Sequence, residues 1–282
     1  MNKRKPIIIG LIQMAMTSSK EKNLAKAVNL VKQAAKRGAQ IICLPELFST
    51  PYFPQKRGVA KDKYSELVPG QTSRVMSKLA KSLRVVLIVP IYEKTSTGQY
   101  FNTALVISDD GRILGRYRKH HIPHDPGFYE KDYFEEGESG YKVFKTKYAR
   151  IAILICYDQW FPEAARMAKL NGAEIIFYPT AIGDLIDYLP PEGDWHDAWE
   201  TIQRGHAIAN SVPVAVVNRV GREGKTRFWG QSFVSDAFGK VVRRANKTRD
   251  EVPVVELDLQ MNKFISQGWG FLKNSRPETY RA

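Results

Sequence analysis

AAKRGAQIICLPEL, residues 34–47, and MAKLNGAEIIFYPTA, residues 167–181, follow one plan. Each runs from the end of an amphipathic helix through a glycine and an alanine into a short apolar run that stops at a proline. That is the pattern of a helix stop followed by a buried strand. The likeness extends outward. After the first copy come TSRVMSKLAKSLR (72–84), with helical periodicity, and VVLIVPIYE (85–93), which is strand-like. After the second come HDAWETIQRGHAIAN (196–210) and VPVAVVNRV (212–220). FNTALVISDDGRILGRYR (101–118) reads as a hairpin turning at Asp110-Gly111, and WGQSFVSDAFGKVVRRA (229–245) echoes it. The chain is therefore expected to hold two α-β-β halves related by a pseudo-two-fold axis. Strands that are apolar without strict alternation belong to sheets covered on both faces. Two such sheets, each backed by helices, give an α/β protein with a four-layer αββα sandwich, expected as a single domain over residues 1–282.

The totals agree with a folded protein. The 282 residues are 43% hydrophobic and 11% aromatic, enough for a sizeable core and unlike a disordered chain. Two cysteines, Cys43 and Cys156, make neither a disulfide framework nor a zinc cluster, and fit a reducing, cytoplasmic setting. The start, MNKRKPIIIGLIQMAMTSS, pairs basic residues with an apolar run, but Gly10 and Gln13 interrupt it, so it reads as a first buried strand rather than a signal segment. No run has the length of a membrane-spanning helix. The net charge of +14 is spread along amphipathic stretches such as KNLAKAVNLVKQAAKRG, as on solvated helix faces. It forms no motif for nucleic acid, so no nucleic-acid or membrane partner is expected.

In α/β architectures the ends of strands collect functional groups. Glu46 follows one strand, Lys119 ends the hairpin, and Cys156 lies in ILICYDQWFPEAAR (153–166), where an apolar run meets aromatic and acidic residues. A thiol attacks only as thiolate and needs a base or a cation beside it. Five histidines keep a Cys-His pair open, and a carboxylate raised by burial can serve as base instead. Cys43, inside IICLPE, reads as core, and His120 and His121 as structural.

Three stretches, LPELF with Glu46, YRKHHIP with Lys119 and ILICYDQWFPEAAR with Cys156, resemble the nitrilase (carbon-nitrogen hydrolase) superfamily from about residue 7 to about 280. GFYEKDYFEEG (127–137) resembles the segment that carries that family's additional glutamate, here Glu130. The resemblance implies the αββα sandwich and a set of roles. Cys156 is the nucleophile, Glu46 the general base and then acid, Lys119 and the Tyr157 N–H the oxyanion donors, and Glu130 the residue that orients Lys119. It implies no metal and no cofactor, and a homo-oligomer. Tyr52, Asp125, Tyr157 and Asp184 are the expected substrate-binding residues.

Within the superfamily, CYDQWFPEAAR followed by GAEIIFYPTAIG is most like the N-carbamoylputrescine amidases, which release putrescine, CO2 and ammonia. Two loops depart from that branch: His124 stands where an acid usually follows HIP, and DLIDYLPPEGDW replaces the usual stretch after TAIG. The segment 184–200 carries Asp184, Asp187, Glu192, Asp194, Asp197 and Glu200 and neither Lys nor Arg. It is expected to attract a cationic amine tail, although Asp194 and Asp197 also suit the start of a helix. The partner is thus a small carbamoyl amine or amide. A β-ureido acid or ω-amide is the alternative, and would call for lysine or arginine in the pocket.

Overall fold

The structure is a computed structural model that describes residues 5–280; the basic start of the chain and the last two residues of its tail lie outside the described residues. Strand β1 (Ile7–Leu11) leads into helix α1 (Lys20–Lys36), β2 (Ile41–Cys43), α2 (Gln71–Leu83), β3 (Val86–Lys94), β4 (Tyr100–Ile107) and β5 (Ile113–Arg118). A small hairpin, β6 (His124–Asp125) with β7 (Phe128–Tyr129), comes next. The second half runs β8 (Val143–Lys145), β9 (Arg150–Ile153), α3 (Pro162–Leu170), β10 (Ile175–Pro179), β11 (Gly183–Leu185), α4 (Trp195–Asn210), β12 (Val214–Val217), β13 (Val220–Glu223), β14 (Thr226–Trp229), β15 (Phe233–Ser235) and β16 (Val241–Arg244). The chain ends with β17 (Val254–Leu257) and α5 (Gln260–Trp269).

Two six-stranded sheets form, ordered β17-β1-β2-β3-β4-β5 and β16-β15-β12-β10-β9-β8. In each, three strands are parallel (β1, β2, β3 and β9, β10, β12), a hairpin continues the sheet antiparallel, and one antiparallel strand closes the other edge. The repeat seen in the sequence is thus a repeat of topology. One difference breaks it. The edge strand of the second sheet, β8, directly precedes β9, whereas that of the first, β17, comes from the far end of the chain, with Ile9 opposite Val255. The first half is completed only when the C-terminal segment returns.

Alternation inside the apolar strands explains the four layers. Ile41, Cys43, Val86 and Ile88 pack into the core shared with the second sheet. Their neighbours Ile42, Leu44, Leu87 and Val89 pack with Val31 of α1 and Met76 of α2 on the other face. Both faces of each sheet are apolar because both are covered. Ala164, Ala165 and Ala168 of α3 and Trp199 and Ala207 of α4 cover the second sheet. Cys43 is a core residue, fully buried between the sheets. A third, three-stranded sheet, β11-β14-β13, stands beside the ends of the second sheet's strands and was not foreseen from the sequence.

Ile88 is fully buried at the junction of the two sheets. Ile88→Ala is expected to destabilise the fold by about 2–5 kcal/mol, read as a lower midpoint of urea unfolding at unchanged slope.

Candidate active site

Three chain segments deliver the central groups. The chain leaves β2 and turns through Leu47, which has a φ of 50°, placing Glu46 on the inner side. Lys119 follows β5, its N–H donating to the Asn102 carbonyl at 2.9 Å. Glu130 opens a 3-10 turn, Glu130–Asp132, after the β6-β7 hairpin. All three side chains are buried. The Lys119 ammonium donates to Glu46 Oε1 at 2.9 Å and to Glu130 Oε2 at 2.6 Å. Burial works against the lysine's charge, but Glu130 and then Glu46 outweigh it and hold the ammonium above its ordinary pKa. Burial pushes the Glu130 carboxyl up, and Glu46 adds to that against the pull of Lys119.

Cys156 stands at the start of a 3-10 turn, Cys156–Trp160, with a φ of 43°. The left-handed backbone is uncommon for a residue other than glycine and is found where the surroundings impose it. Burial raises the thiol's pKa well above its ordinary value; Glu46 and Glu130 push in the same direction, and Lys119 opposes them. A thiol raised in this way is neutral at neutral pH and could attack only with a base to take its proton. Glu46 is the candidate base. Its Oε1 accepts from Lys119 and from Asn102 Nδ2 at 2.7 Å, while its buried Oε2 has no partner among the described residues. Leaving a buried carboxylate oxygen unpaired costs about 1–3 kcal/mol, which a proton arriving from a neighbouring thiol would offset.

Several residues that the sequence reading did not single out hold this arrangement. The Arg219 guanidinium is fully buried, and its Nη2 donates to the carbonyls of Glu46, Leu47 and Thr50 at 3.0, 2.9 and 3.1 Å. Its Nη1 meets Glu223 Oε1 at 2.6 Å, and Glu223 Oε2 accepts the Tyr52 N–H at 2.7 Å. One ion pair thus pins the turn that carries Glu46. Only the VNRVGRE stretch (217–223) hinted at it, and its partners lie some 170 positions earlier.

A cavity of about 1070 Å³ opens onto Cys156 and Glu130. Of the four expected substrate-binding residues, Asp125 and Tyr157 line it. Tyr52 does not. It is fully buried beneath the site, where its hydroxyl donates to Glu130 Oε1 at 2.7 Å. Asp184 does not line it either: its neighbours Gly183 and Leu185 do, and alternation along β11 turns its own side chain away. Asp184 is the cross-strand partner of Arg227, meeting its Nη2 at 3.0 Å, and accepts from Trp229 Nε1 at 2.7 Å.

Two of the six acids of this segment, Asp184 and Glu200, are paired with arginines of later strands. Glu200 pairs with Arg244 at 2.6 Å. Asp194 caps α4, accepting the N–H groups of His196 and Asp197. Of its six acids only Glu192 lines the cavity, and Lys56 and Lys225 line it too. The expectation of a strongly anionic pocket wall is corrected to a wall of mixed charge, because cross-strand and helix-end partners were not visible in the local sequence.

A buried cysteine, a buried lysine and two buried carboxylates thus gather at the strand ends of this sandwich. A profile of the carbon-nitrogen hydrolase family matches residues 8–265, and the chain belongs to that family. It is 40% identical to the N-carbamoylputrescine amidase of Arabidopsis thaliana, across 99% of this chain and 95% of that one. It is 39% identical to a citrullinase of Francisella tularensis, across 97% and 96%. The crystal structure of a carbon-nitrogen hydrolase from Helicobacter pylori superposes with a TM-score of 0.93 at 39% identity, covering 98% of this chain and 97% of that one. The chain is an amidohydrolase of the nitrilase superfamily with the αββα sandwich fold.

Arg219→Met leaves Glu223 and three carbonyls of the Glu46 turn without their partner. It is expected to cost about 3–5 kcal/mol in chemical unfolding, and Arg219→Met with Glu223→Gln is expected to recover part of that loss.

Proposed function

We propose that this chain, working as one hydrolase domain, cleaves the ureido group of a carbamoylated amine with a cationic tail, N-carbamoylputrescine being the preferred substrate. The observation that carries the mechanism is the unpaired Oε2 of Glu46 near a neutral, buried Cys156 thiol. Glu46 takes the thiol proton as the sulfur attacks the carbonyl carbon. Lys119 and the Tyr157 N–H stabilise the oxyanion. Glu46 passes the proton to the departing nitrogen as the C–N bond breaks, leaving the carbonyl carbon bound to sulfur. Water, deprotonated by Glu46, then releases the thiol and a carbamate, which loses CO2. Glu130, held by Tyr52, keeps Lys119 in place.

The relatives named for N-carbamoylputrescine support the amine tail, and so do Asp125 and Glu192 in the cavity wall. Burial raises the pKa of the Tyr157 phenol, and Asp125, close enough to act on it, adds to the rise. A second reading has its own support. Lys56 and Lys225 line the same cavity, as the β-ureido acid or ω-amide alternative calls for, and a tail with both ammonium and carboxylate, as in citrulline, would find partners for both. The reducing cytoplasm would keep Cys156 as thiol. The exposed Phe264, Trp269 and Tyr280 near the C-terminus favour a homo-oligomer.

Ammonia release from N-carbamoylputrescine, citrulline and β-ureidopropionate separates these readings. Preference for the first, lost by at least about 10⁴-fold in kcat in Cys156→Ala, is the expected result. Preference for citrulline or β-ureidopropionate would overturn the assignment of a purely cationic tail. Asp125→Asn is expected to raise KM for N-carbamoylputrescine about two- to five-fold while leaving kcat unchanged, the size of an exposed charge pair.

A further inference from the structure

Asp158 lies two residues beyond Cys156 and takes no part in the chemistry above, yet four hydrogen bonds converge on its fully buried carboxylate. Oδ2 accepts from the Ile155 N–H and from the Tyr117 hydroxyl, both at 2.8 Å. Oδ1 accepts from the His121 N–H at 3.0 Å and from His121 Nδ1 at 2.7 Å. An ionised carboxylate only accepts, so Nδ1 of His121 carries the proton in this contact.

These donors come from both halves of the molecule. Ile155 immediately precedes Cys156. Tyr117 and His121 bracket Lys119, two residues before and two after it. Asp158 also returns its own N–H to the Ile155 carbonyl at 3.1 Å, so the turn holding Cys156 in its left-handed backbone is closed twice by one residue. The His121 ring is held on its other side by Phe161, stacked at 3.6 Å with planes 8° apart. Among the described residues, no other side chain hydrogen-bonds both to the Cys156 turn and to the two flanks of Lys119.

We infer that Asp158 is a positioning residue that sets the placement of Cys156 and the Tyr157 N–H relative to Lys119. The inference rests on the cysteine mechanism proposed above. A carboxylate that merely capped the 3-10 turn would need only its bond to Ile155. The bonds to Tyr117 and His121 would then be dispensable for turnover. If Asp158 sets the distance across the site, those bonds matter to kcat and not to substrate affinity, because misplacing a reacting group by about 1 Å can cost about 100-fold in rate.

The test uses the full-length protein and whichever ureido substrate the wild type hydrolyses. Rates are taken per active site, with active sites counted by iodoacetamide labelling of Cys156 and peptide mapping. Asp158→Asn, whichever way its amide turns, sets the NH2 against a backbone N–H that can only donate, that of Ile155 or that of His121. It is expected to lose about 100-fold in kcat with KM within about two-fold of wild type. Tyr117→Phe and His121→Ala each cut one tie to the Lys119 flank and are expected to lose about ten-fold in kcat with KM unchanged. Wild-type kcat in Asp158→Asn, a loss confined to KM, or full activity in both Tyr117→Phe and His121→Ala would overturn the inference. If Asp158→Asn does not fold, the other two variants decide. Full activity in Cys156→Ala would instead remove the cysteine mechanism itself, a separate failure read from a separate protein.

Discussion

The Lys119 ammonium, without exposure to solvent, is the constraint on which the site depends. A buried cation is tolerated only with close anions and full hydrogen bonding. Glu46 and Glu130 supply the anions, and each must in turn be held. Asn102, on β4, donates to Glu46; Tyr52 donates to Glu130; Arg219 and Glu223 pin the turn from which both Glu46 and Tyr52 project. The electrostatic cost of placing one lysine at the strand ends thus fixes residues from both halves of the chain. It also leaves one Glu46 oxygen without a partner among the described residues, within electrostatic reach of the thiol.

The internal repeat makes the asymmetry of the site visible. Ile9 of β1 pairs with Ile41 of β2, and Ile151 of β9 pairs with Ile175 of β10. Counting on from those pairs, Met14 and Thr180 stand where Cys156 and Glu46 stand in the opposite half. The first half's equivalent strand end is closed: the neighbouring Gln13 donates to the carbonyls of Asn246 and Arg249 and accepts from Ser232. The candidate site occupies one of the two related strand ends, and hydrogen bonds that tie in the returning C-terminal segment occupy the other.

The layers were legible because repeated apolar strands leave a strong local signal; Glu46, Lys119 and Cys156 stood out as candidates near strand ends, and their roles came from resemblance. The placement of Glu130 came from resemblance, since nothing in GFYEKDYFEEG alone says that its glutamate is buried. Other parts were written in pairs distant in sequence. Arg219 and the Glu46 turn, Asp158 and the flanks of Lys119, and β17 and β1 each depend on partners that local periodicity does not encode. The acidic stretch misled for the same reason: Asp184 faces Arg227 across a strand pair, and Glu200 meets Arg244 from β16. Charge counted along a segment measures a pocket only after its partners are known.

In the proposed mechanism Cys156 becomes covalently bonded to the substrate's carbonyl carbon after giving its proton to Glu46. Intact-protein mass measured after rapid acid quench during turnover tests it most directly. The account predicts an adduct that maps to Cys156, is absent in Cys156→Ala, and fails to accumulate in Glu46→Gln because the thiol has lost its base. Sustained turnover in Cys156→Ala, or an adduct on another residue, would contradict it.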